Sequence, residues 1–442
     1  MDIKINPTTS LNGEILAPPS KSYSHRAFIA ASFADGVSIV KNPLTIGDVG
    51  VTIDLLKDLG VNIREEAKNS YIVEKTVKFL KPIHKTLDCK NSGTTIRIFS
   101  ALSLLIEGGL TFSGTFLKRD RPLLPLLDSL KNLGADYKFS KNSVHIQRVQ
   151  KFCNKVKIQG DVSSQFITAL LFLSPSIRCN NNKFVEIEIT TPLVSYPYVK
   201  ITLDVLNSFG IKVYEKIDEK KIGTYKTETG QKYRPQVYTV PGDFSSAAFI
   251  IVATALAPND SEVVVNNLDF RNPQGDKKII EILSRMGANI TINKEKNQIV
   301  VKGGITKYPL KGIEIDCNET PDLFPILSVV GAFAEGKTTL FNAKILRIKE
   351  SDRIAVMARE LIKMGVKLEE KEDRLTVYKS ELNTSKIEHE NDHRIAMACC
   401  IAALFAKSSS SIENIEVVSD SYPNFIEDLK KLGAKIEPSN YL

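Results

Sequence analysis

Six times along the chain the same pattern of apolar and polar positions returns: an apolar residue, a second three positions on, a glycine, then apolar, polar, apolar. It covers residues 56–63, 130–137, 206–213, 283–290, 361–368 and 429–436, centred on Gly60, Gly134, Gly210, Gly287, Gly365 and Gly433. The pattern predicts the last turn of an amphipathic helix, a left-handed glycine just past its end, and a strand that leaves with period two. Successive glycines lie 68 to 78 residues apart. That period is too long for a common solenoid repeat and too regular for chance, so each copy reads as a small α/β repeat. Six repeats divide naturally into two groups of three. The best turn signal between the third and fourth is Val240, Pro241, Gly242 and Asp243. An N-terminal strand over residues 2–16 precedes the first repeat and is expected to pair with the last group. The chain then crosses between groups twice, near Pro18 and Pro19 and near Val240 and Pro241.

Composition narrows this picture. With 442 residues and 43% apolar content the chain has core enough for two ordinary domains. The formal charge of +8 is spread among acids instead of gathered in blocks, which suits a basic site for small anions better than a nucleic-acid stripe. The first residues, Met1 to Asn6, show no apolar signal-peptide core, and the apolar run 247–257 is too short to span a bilayer, so a cytosolic enzyme is expected. Six cysteines and five histidines show neither a C-x-x-C pair nor metal-ligand spacing.

Cations stand where helices are expected to start. Pro18 and Pro19 block a helix to their left and Ser20 is a good N-cap, which puts Lys21 and Ser22 in a first turn. Free N–H groups there already carry partial positive charge, so a lysine is repelled unless an anion lies between them. Lys21, Ser22 and Arg26 are therefore a candidate phosphate or carboxylate site, with a solvated cap as the plain alternative. Gly93 and Arg97 follow Asn91 and Ser92 ahead of the apolar run 98–106. Lys118, Arg119, Asp120 and Arg121 crowd before a helix expected to begin at Pro122. Ser163, Ser164 and Gln165 cap the next apolar helix, and Ser195 and Tyr198 offer further hydroxyls. Asp322 falls in the first turn of a helix over 323–333, where an acid needs no ligand to explain it. Lys349, Glu350, Ser351, Asp352 and Arg353 precede a helix over 354–364, and Asn391, Asp392, His393 and Arg394 open one over 395–405. If these helix starts meet in one cleft, their fields and the cations add, making a trap for a highly anionic small ligand. Residues 331–338 spell a Walker A motif, but the expected order around them is helix then strand, the reverse of a P-loop.

Together these motifs resemble the 5-enolpyruvylshikimate-3-phosphate synthase family, the 3-phosphoshikimate 1-carboxyvinyltransferases, over nearly the whole chain. The resemblance implies a two-lobed inside-out α/β barrel, each lobe three copies of a small α/β repeat, with helix N-termini facing the cleft between lobes. Residues 1–19 with 241–442 would form lobe I and residues 20–240 lobe II. The implied reaction joins phosphoenolpyruvate to the 5-hydroxyl of shikimate 3-phosphate and releases phosphate, without metal or organic cofactor. The partners implied are these two small molecules, with no nucleic acid or membrane, and the enzyme is expected to be a monomer.

By the same resemblance, Lys21, Ser22, Arg26, Ser163, Ser164, Gln165, Ser195, Tyr198, Asp322 and Lys349 hold shikimate 3-phosphate. Lys21, Gly93, Arg121, Gln165, Arg353 and Arg394 hold phosphoenolpyruvate. Asp322 is assigned as base, while Glu350 and Lys21 share proton delivery and removal at the methylene carbon. Two positions depart from the family pattern: Asp420 stands where relatives often carry Lys, and Ile345 where many carry Asn. The sister transferase acting on a UDP-sugar expects a loop cysteine, and residues 117–127 contain none. An RNA 3′-terminal phosphate cyclase expects a histidine in a glycine-rich segment, which no histidine here provides. A non-catalytic anion- or nucleic-acid-binding module is the rival from another class, and Asp322 and Glu350 argue against it.

Overall fold

The computed structural model describes residues 1–75, 82–119, 121–179 and 182–439. All six phrase glycines adopt φ between 82° and 111°, which lets each helix end turn directly into a strand. The helices are α1 (Lys21–Phe33), α2 (Gly47–Asp58), α3 (Gly93–Leu102), α4 (Leu124–Lys131), α5 (Ser164–Leu173), α6 (Tyr196–Ser208), α7 (Phe244–Leu256), α8 (Lys278–Met286), α9 (Phe324–Phe333), α10 (Arg353–Lys363), α11 (His393–Leu404) and α12 (Phe425–Lys431). They alternate in character. All thirteen residues of α7 and all twelve of α11 are buried, as expected of helices apolar on every side. Each phrase glycine follows an even-numbered helix, and these are one-sided. For example, α8 buries Ile279, Ile280, Ile282, Leu283 and Met286 while Glu281 and Arg285 face out.

The described strands make six four-stranded sheets of one design. In the second repeat Leu87–Asp88 lies parallel to Leu110–Ser113, which pairs antiparallel with Ser143–Arg148, and Ala135–Ser140 closes the far edge as a hairpin. Three sheets belong to each of two compact units. Unit 1 is Met1–Ser20 with Pro241–Leu442, and unit 2 is Lys21–Val240.

The strand expected over residues 2–16 is in fact two strands in two different sheets. Ile3–Ile5 lies between Ser410–Ile412 and Ile436–Pro438, whereas Asn12–Leu16 runs parallel to Ser261–Asn266. Pro7 has no N–H to continue a ladder, and the chain turns between them. The edge strands are also exchanged. Asn12–Leu16 precedes α1 in sequence but pairs with the strand after α7, and Val237–Thr239 precedes α7 but pairs with the strand after α1. Two other expectations shift. Helix α4 starts at Leu124 instead of Pro122, with Pro125 in its first turn, and Asp322 lies in a 3₁₀ turn, Pro321–Leu323, just before α9. Gly331 is inside α9 and Gly336 (φ 82°) turns into the strand Lys337–Phe341, so the Walker A spelling has no P-loop geometry. Among the described residues no helix is long and apolar enough to cross a membrane.

Where the chain leaves and re-enters unit 1, its two segments pair. Ser20 N–H donates to Pro241 O at 2.9 Å and Asp243 N–H to Pro18 O at 2.8 Å. Gly242 sits at this crossing with room for no side chain: a Cβ there would lie 1.9 Å from the Asn267 carbonyl oxygen. Gly242→Ala is therefore expected to destabilise unit 1 by about 3 kcal/mol. Urea unfolding checks this, and an unchanged midpoint would show that the crossing is not held by close backbone approach.

Candidate functional site

In unit 2 the N-terminal halves of α1, α3, α5 and α6 are joined through side chains. Arg97 on α3 donates from Nη1 to Gln165 Oε1 on α5 at 2.7 Å, and Gln165 Nε2 donates to Thr94 Oγ1 at 3.0 Å. The remaining Arg97 contacts include Pro122 O, at 3.1 Å from Nε and 2.7 Å from Nη2. Arg97 thus fixes Gln165 in place. The Phe116 ring lies against both the Arg97 and Arg121 guanidiniums, at 5.2 and 4.9 Å from its centroid, a cation–π arrangement that holds two cations close together. Arg121 also donates to Asn91 O at 2.8 Å. A Cβ on Gly93 would meet Arg121 Nη2 at 2.7 Å, so glycine is what lets this guanidinium lie across the start of α3. Asp120, beside it in sequence, lies outside the described residues.

Lys21, the first residue of α1, is 3.7 Å from Asp48. Arg26 sits one turn deeper and buried. It donates to Thr202 Oγ1 at 2.9 Å, Ser22 O at 2.8 Å, Thr168 Oγ1 at 3.3 Å and Tyr198 O at 3.2 Å, tying α1 to α5 and α6. Most of its donors are committed to protein acceptors. Ser163 caps α5 by accepting from Gln165 N–H, and Ser164 is buried beside it. Ser195 caps the start of α6 in the left-handed region, φ 53°, and its buried hydroxyl has no hydrogen-bond partner among the described residues. A strained backbone holding an idle hydroxyl is characteristic of a ligand site. His25 joins Thr52, Thr95 and Ser92 in a buried hydrogen-bonded chain. Burial, with Lys21 and Arg26 nearby, holds its pKa well below the usual range, so it adds no charge.

In unit 1 three helix starts, those of α7, α10 and α11, carry aspartate caps. Asp243 accepts from Ser246 N–H at 3.1 Å, Asp352 from Ala355 N–H at 3.0 Å and Asp392 from Arg394 N–H at 3.0 Å. The first-turn cations Arg353 and Arg394 are thus accompanied by acids that suit the helix dipole. Arg353 is 1% exposed and bonds three carboxylates: Nε to Asp392 Oδ2 at 2.8 Å, Nη1 to Asp322 Oδ1 at 2.7 Å and Nη2 to Glu350 Oε2 at 2.9 Å. Arg394 Nη2 lies 2.8 Å from the other Asp322 oxygen. Each Asp322 oxygen therefore rests on a different guanidinium. Burial alone would raise its pKa, but Arg394, Arg353 and Lys349 outweigh that and hold the carboxyl well below the usual range.

The structure thus gathers Asp322, Glu350, Arg353 and Arg394 in unit 1, with Lys349 near enough to act on Asp322. In unit 2 it places Lys21, Ser22, Gly93, Arg121, Ser163, Ser164, Gln165, Ser195 and Tyr198 at helix starts or just before them, with Arg26 beneath. Sequence reasoning names Arg97 among the early-helix cations and Asp392 within the motif that opens α11, but not what each one holds: Arg97 bonds Gln165 and Asp392 bonds Arg353. It also passes over Asp276, whose only sequence signal is the turn Gln274, Gly275, Asp276. Ile345 is buried in a 3₁₀ segment, Lys344–Ile348, and Asp420 ends another, Ile415–Asp420. No group of three or more His, Cys, Asp or Glu among the described residues is placed to hold a metal ion.

An α/β repeat protein whose helix starts present cations, glycine and hydroxyls is built to bind small polyanions. Residues 5–429 match the family EPSP synthase (3-phosphoshikimate 1-carboxyvinyltransferase), and the chain belongs to that family. It is 42% identical to the 3-phosphoshikimate 1-carboxyvinyltransferase of Methanococcus vannielii over 97% of this chain and 98% of that one. It is also 42% identical to that of Methanocaldococcus jannaschii, over 98% of each. Among solved structures, EPSP synthase from Acinetobacter baumannii superposes with a TM-score of 0.79 at 26% identity, covering 99% of this chain and 100% of the other. The enolpyruvyl transferase NikO from Streptomyces tendae shares the fold, with a TM-score of 0.77 at 17% identity, covering 100% of this chain and 99% of that one.

Two outcomes follow for the unit 1 cluster. Arg353→Met leaves Asp392, Asp322 and Glu350 without their shared cation and is expected to cost about 3–5 kcal/mol in denaturant unfolding. Asp322, with its pKa depressed in the folded state, stabilises the fold above the ordinary carboxylate range and loses that contribution as pH falls. Asp322→Asn should therefore flatten the acid side of the stability profile, and a profile as steep as the parent's would place the acid-labile charge elsewhere.

Proposed function

We propose that this enzyme transfers the enolpyruvyl group of phosphoenolpyruvate to the 5-hydroxyl of shikimate 3-phosphate, releasing inorganic phosphate, a step of aromatic amino-acid biosynthesis in the cytosol. The observation that carries the mechanism is Asp322 held between Arg353 and Arg394. Two guanidiniums on one carboxylate make a weak base, because both favour the charged form. An incoming phosphate or carboxylate competes for the same guanidiniums. As they turn to the substrate, Asp322 loses its stabilising charge and becomes basic enough to take the proton of the 5-hydroxyl. Base strength then appears only when anionic substrate is present.

The hydroxyl oxygen adds to C2 of phosphoenolpyruvate while a proton is delivered to C3, giving a tetrahedral adduct with a methyl group. Removal of a proton from that methyl and departure of phosphate from C2 restores the double bond in the product. We assign the proton work at C3 to Glu350 and Lys21. Arg121, Arg353, Arg394, Lys21, Gln165 and the open backbone at Gly93 are assigned to phosphoenolpyruvate. Shikimate 3-phosphate is assigned to Lys21, Ser22, Arg26, Ser163, Ser164, Gln165, Ser195, Tyr198, Asp322 and Lys349. The idle hydroxyl of Ser195 and the amide of Gln165, fixed by Arg97, support this assignment. Bidentate guanidinium contacts suit both the phosphates and the carboxylates of the two substrates.

The enzyme is expected to release phosphate only when both substrates are present, measured with a colorimetric phosphate assay. A folded protein that binds both and releases none would remove this reading. Asp322→Ala should lower kcat by about 10²-fold or more, the scale of a lost general base, and near-parent turnover would take Asp322 out of that role.

A further inference from the structure

The turn that leads into α11 is strained, and it is braced by a histidine that the reaction as derived does not use. Glu390 and Asn391 are both left-handed, at φ 50° and 58°, a conformation that a non-glycine residue keeps only when its surroundings impose it. Asp392 follows directly. Its N–H donates to His389 O at 2.9 Å, and its carboxylate accepts from Arg353 Nε at 2.8 Å and Ser351 Oγ at 3.0 Å while capping α11. The His389 ring, 6% exposed, pins this turn: Nδ1 accepts from the Asn391 N–H at 3.1 Å and Nε2 donates to Glu413 O at 2.8 Å. Both partners are backbone groups of fixed polarity, so one neutral tautomer, protonated at Nε2, satisfies both. Arg359 on α10 holds the outer part of the turn, through the Glu388 carbonyl at 2.9 Å and the Glu390 carboxylate at 2.6 Å.

Two other repeats show what the Nδ1 bond is for. At the ends of the edge strands Leu87–Asp88 and Glu314–Asp316 the aspartate accepts from the N–H two residues on, Lys90 and Asn318, each at 2.9 Å. Such a side-chain bond closes a turn ahead of a helix start. Before α11 the edge strand is Lys386–Ile387, and the acid after it, Glu388, lies against Lys363 at 3.5 Å instead. His389 supplies the acceptor from the next position, since Nδ1 of an imidazole stands as many bonds from the backbone as Oδ1 of an aspartate. It adds no further acid beside Glu388, Glu390, Asp392 and Glu413, and it has a hydrogen for the Glu413 carbonyl, which a carboxylate lacks.

We propose that His389 is a positioning residue for phosphoenolpyruvate: by holding Asn391 it fixes Asp392, and through Asp392 it sets Arg353 and the start of the helix that carries Arg394. The inference rests on the reading of Arg353 and Arg394 as phosphoenolpyruvate contacts. Without the ring the left-handed pair relaxes, Asp392 moves with it, and the two guanidiniums lose their common geometry.

The test measures amide hydrogen exchange over residues 388–394 and steady-state kinetics in the parent, His389→Leu and His389→Asn. Leucine fills the space but accepts nothing, whereas asparagine offers its Oδ1 to the Asn391 N–H. Exchange is expected to rise about tenfold in His389→Leu, the scale of one lost buried hydrogen bond, and KM for phosphoenolpyruvate to rise by a similar factor. KM for shikimate 3-phosphate, most of whose assigned residues lie in unit 2, should stay within about twofold, and His389→Asn should bring exchange and KM back to within about threefold of the parent. Unchanged exchange or an unchanged KM for phosphoenolpyruvate in His389→Leu, or an equal rise in both variants, overturns the proposal. If His389→Leu does not fold, His389→Ala, which admits water to the two backbone groups, takes its place under the same expectations. A parent that releases no phosphate with both substrates counts against the assigned reaction instead, and the exchange comparison then still decides whether His389 holds the turn.

Discussion

The charged cluster of unit 1 depends on a guanidinium that has been taken out of water. Arg353 is buried and spends its donors on Asp322, Asp392 and Glu350. A buried charge of this kind is tolerated only when its partners are complete, which is why one side chain draws in acids from three separate elements. The same completeness underlies the proposed base chemistry: with both of its oxygens resting on cations Asp322 is a poor base, and we propose that substrate anions disturb that balance. On that reading affinity and basicity are two sides of one charge distribution.

Unit 2 solves a different problem with neutral parts. Its helix starts are joined by Gln165, Thr94, Thr168 and Thr202, and its arginines are braced by carbonyls and by the face of Phe116. No acid occupies the first turns of α1, α3 or α5. These dipole ends thus meet no acid within their own first turns, whereas in unit 1 aspartate caps absorb part of the field. The idle Ser195 hydroxyl, held on strained backbone, belongs with the first kind of surface.

Much of this was readable in the chain because it is local. A helix end, a left-handed glycine and a departing strand follow from a few adjacent residues, and six copies at near-constant spacing make the repeat unmistakable. The clustering of first-turn cations is local too. What could not be read is pairing over long separations. Nothing in residues 2–16 says that Ile3–Ile5 and Asn12–Leu16 join different sheets, since each has its partner hundreds of residues away. What Asp392 holds was hidden for the opposite reason: an aspartate cap is so common that its second bond, to Arg353, leaves no trace in composition. Arg26 shows a third limit, because burial beneath the site instead of at its rim is decided by Thr168 and Thr202, neither of which is near it in sequence.

The exchange of edge strands has a consequence for how the chain is made. Every strand of unit 2 is encoded between Lys21 and Val240, so its three sheets are complete as soon as that stretch has left the ribosome. Unit 1 is in the opposite position. Its first strands are synthesised before anything else, yet Ile3 must wait for Ile412 and Pro438, and Leu16 for Asn266. Closing loops of that length carries an entropic cost that only late contacts repay. During translation these two segments are thus unmatched strand edges in need of protection, Asn12–Leu16 until the fourth repeat emerges and Ile3–Ile5 until the last.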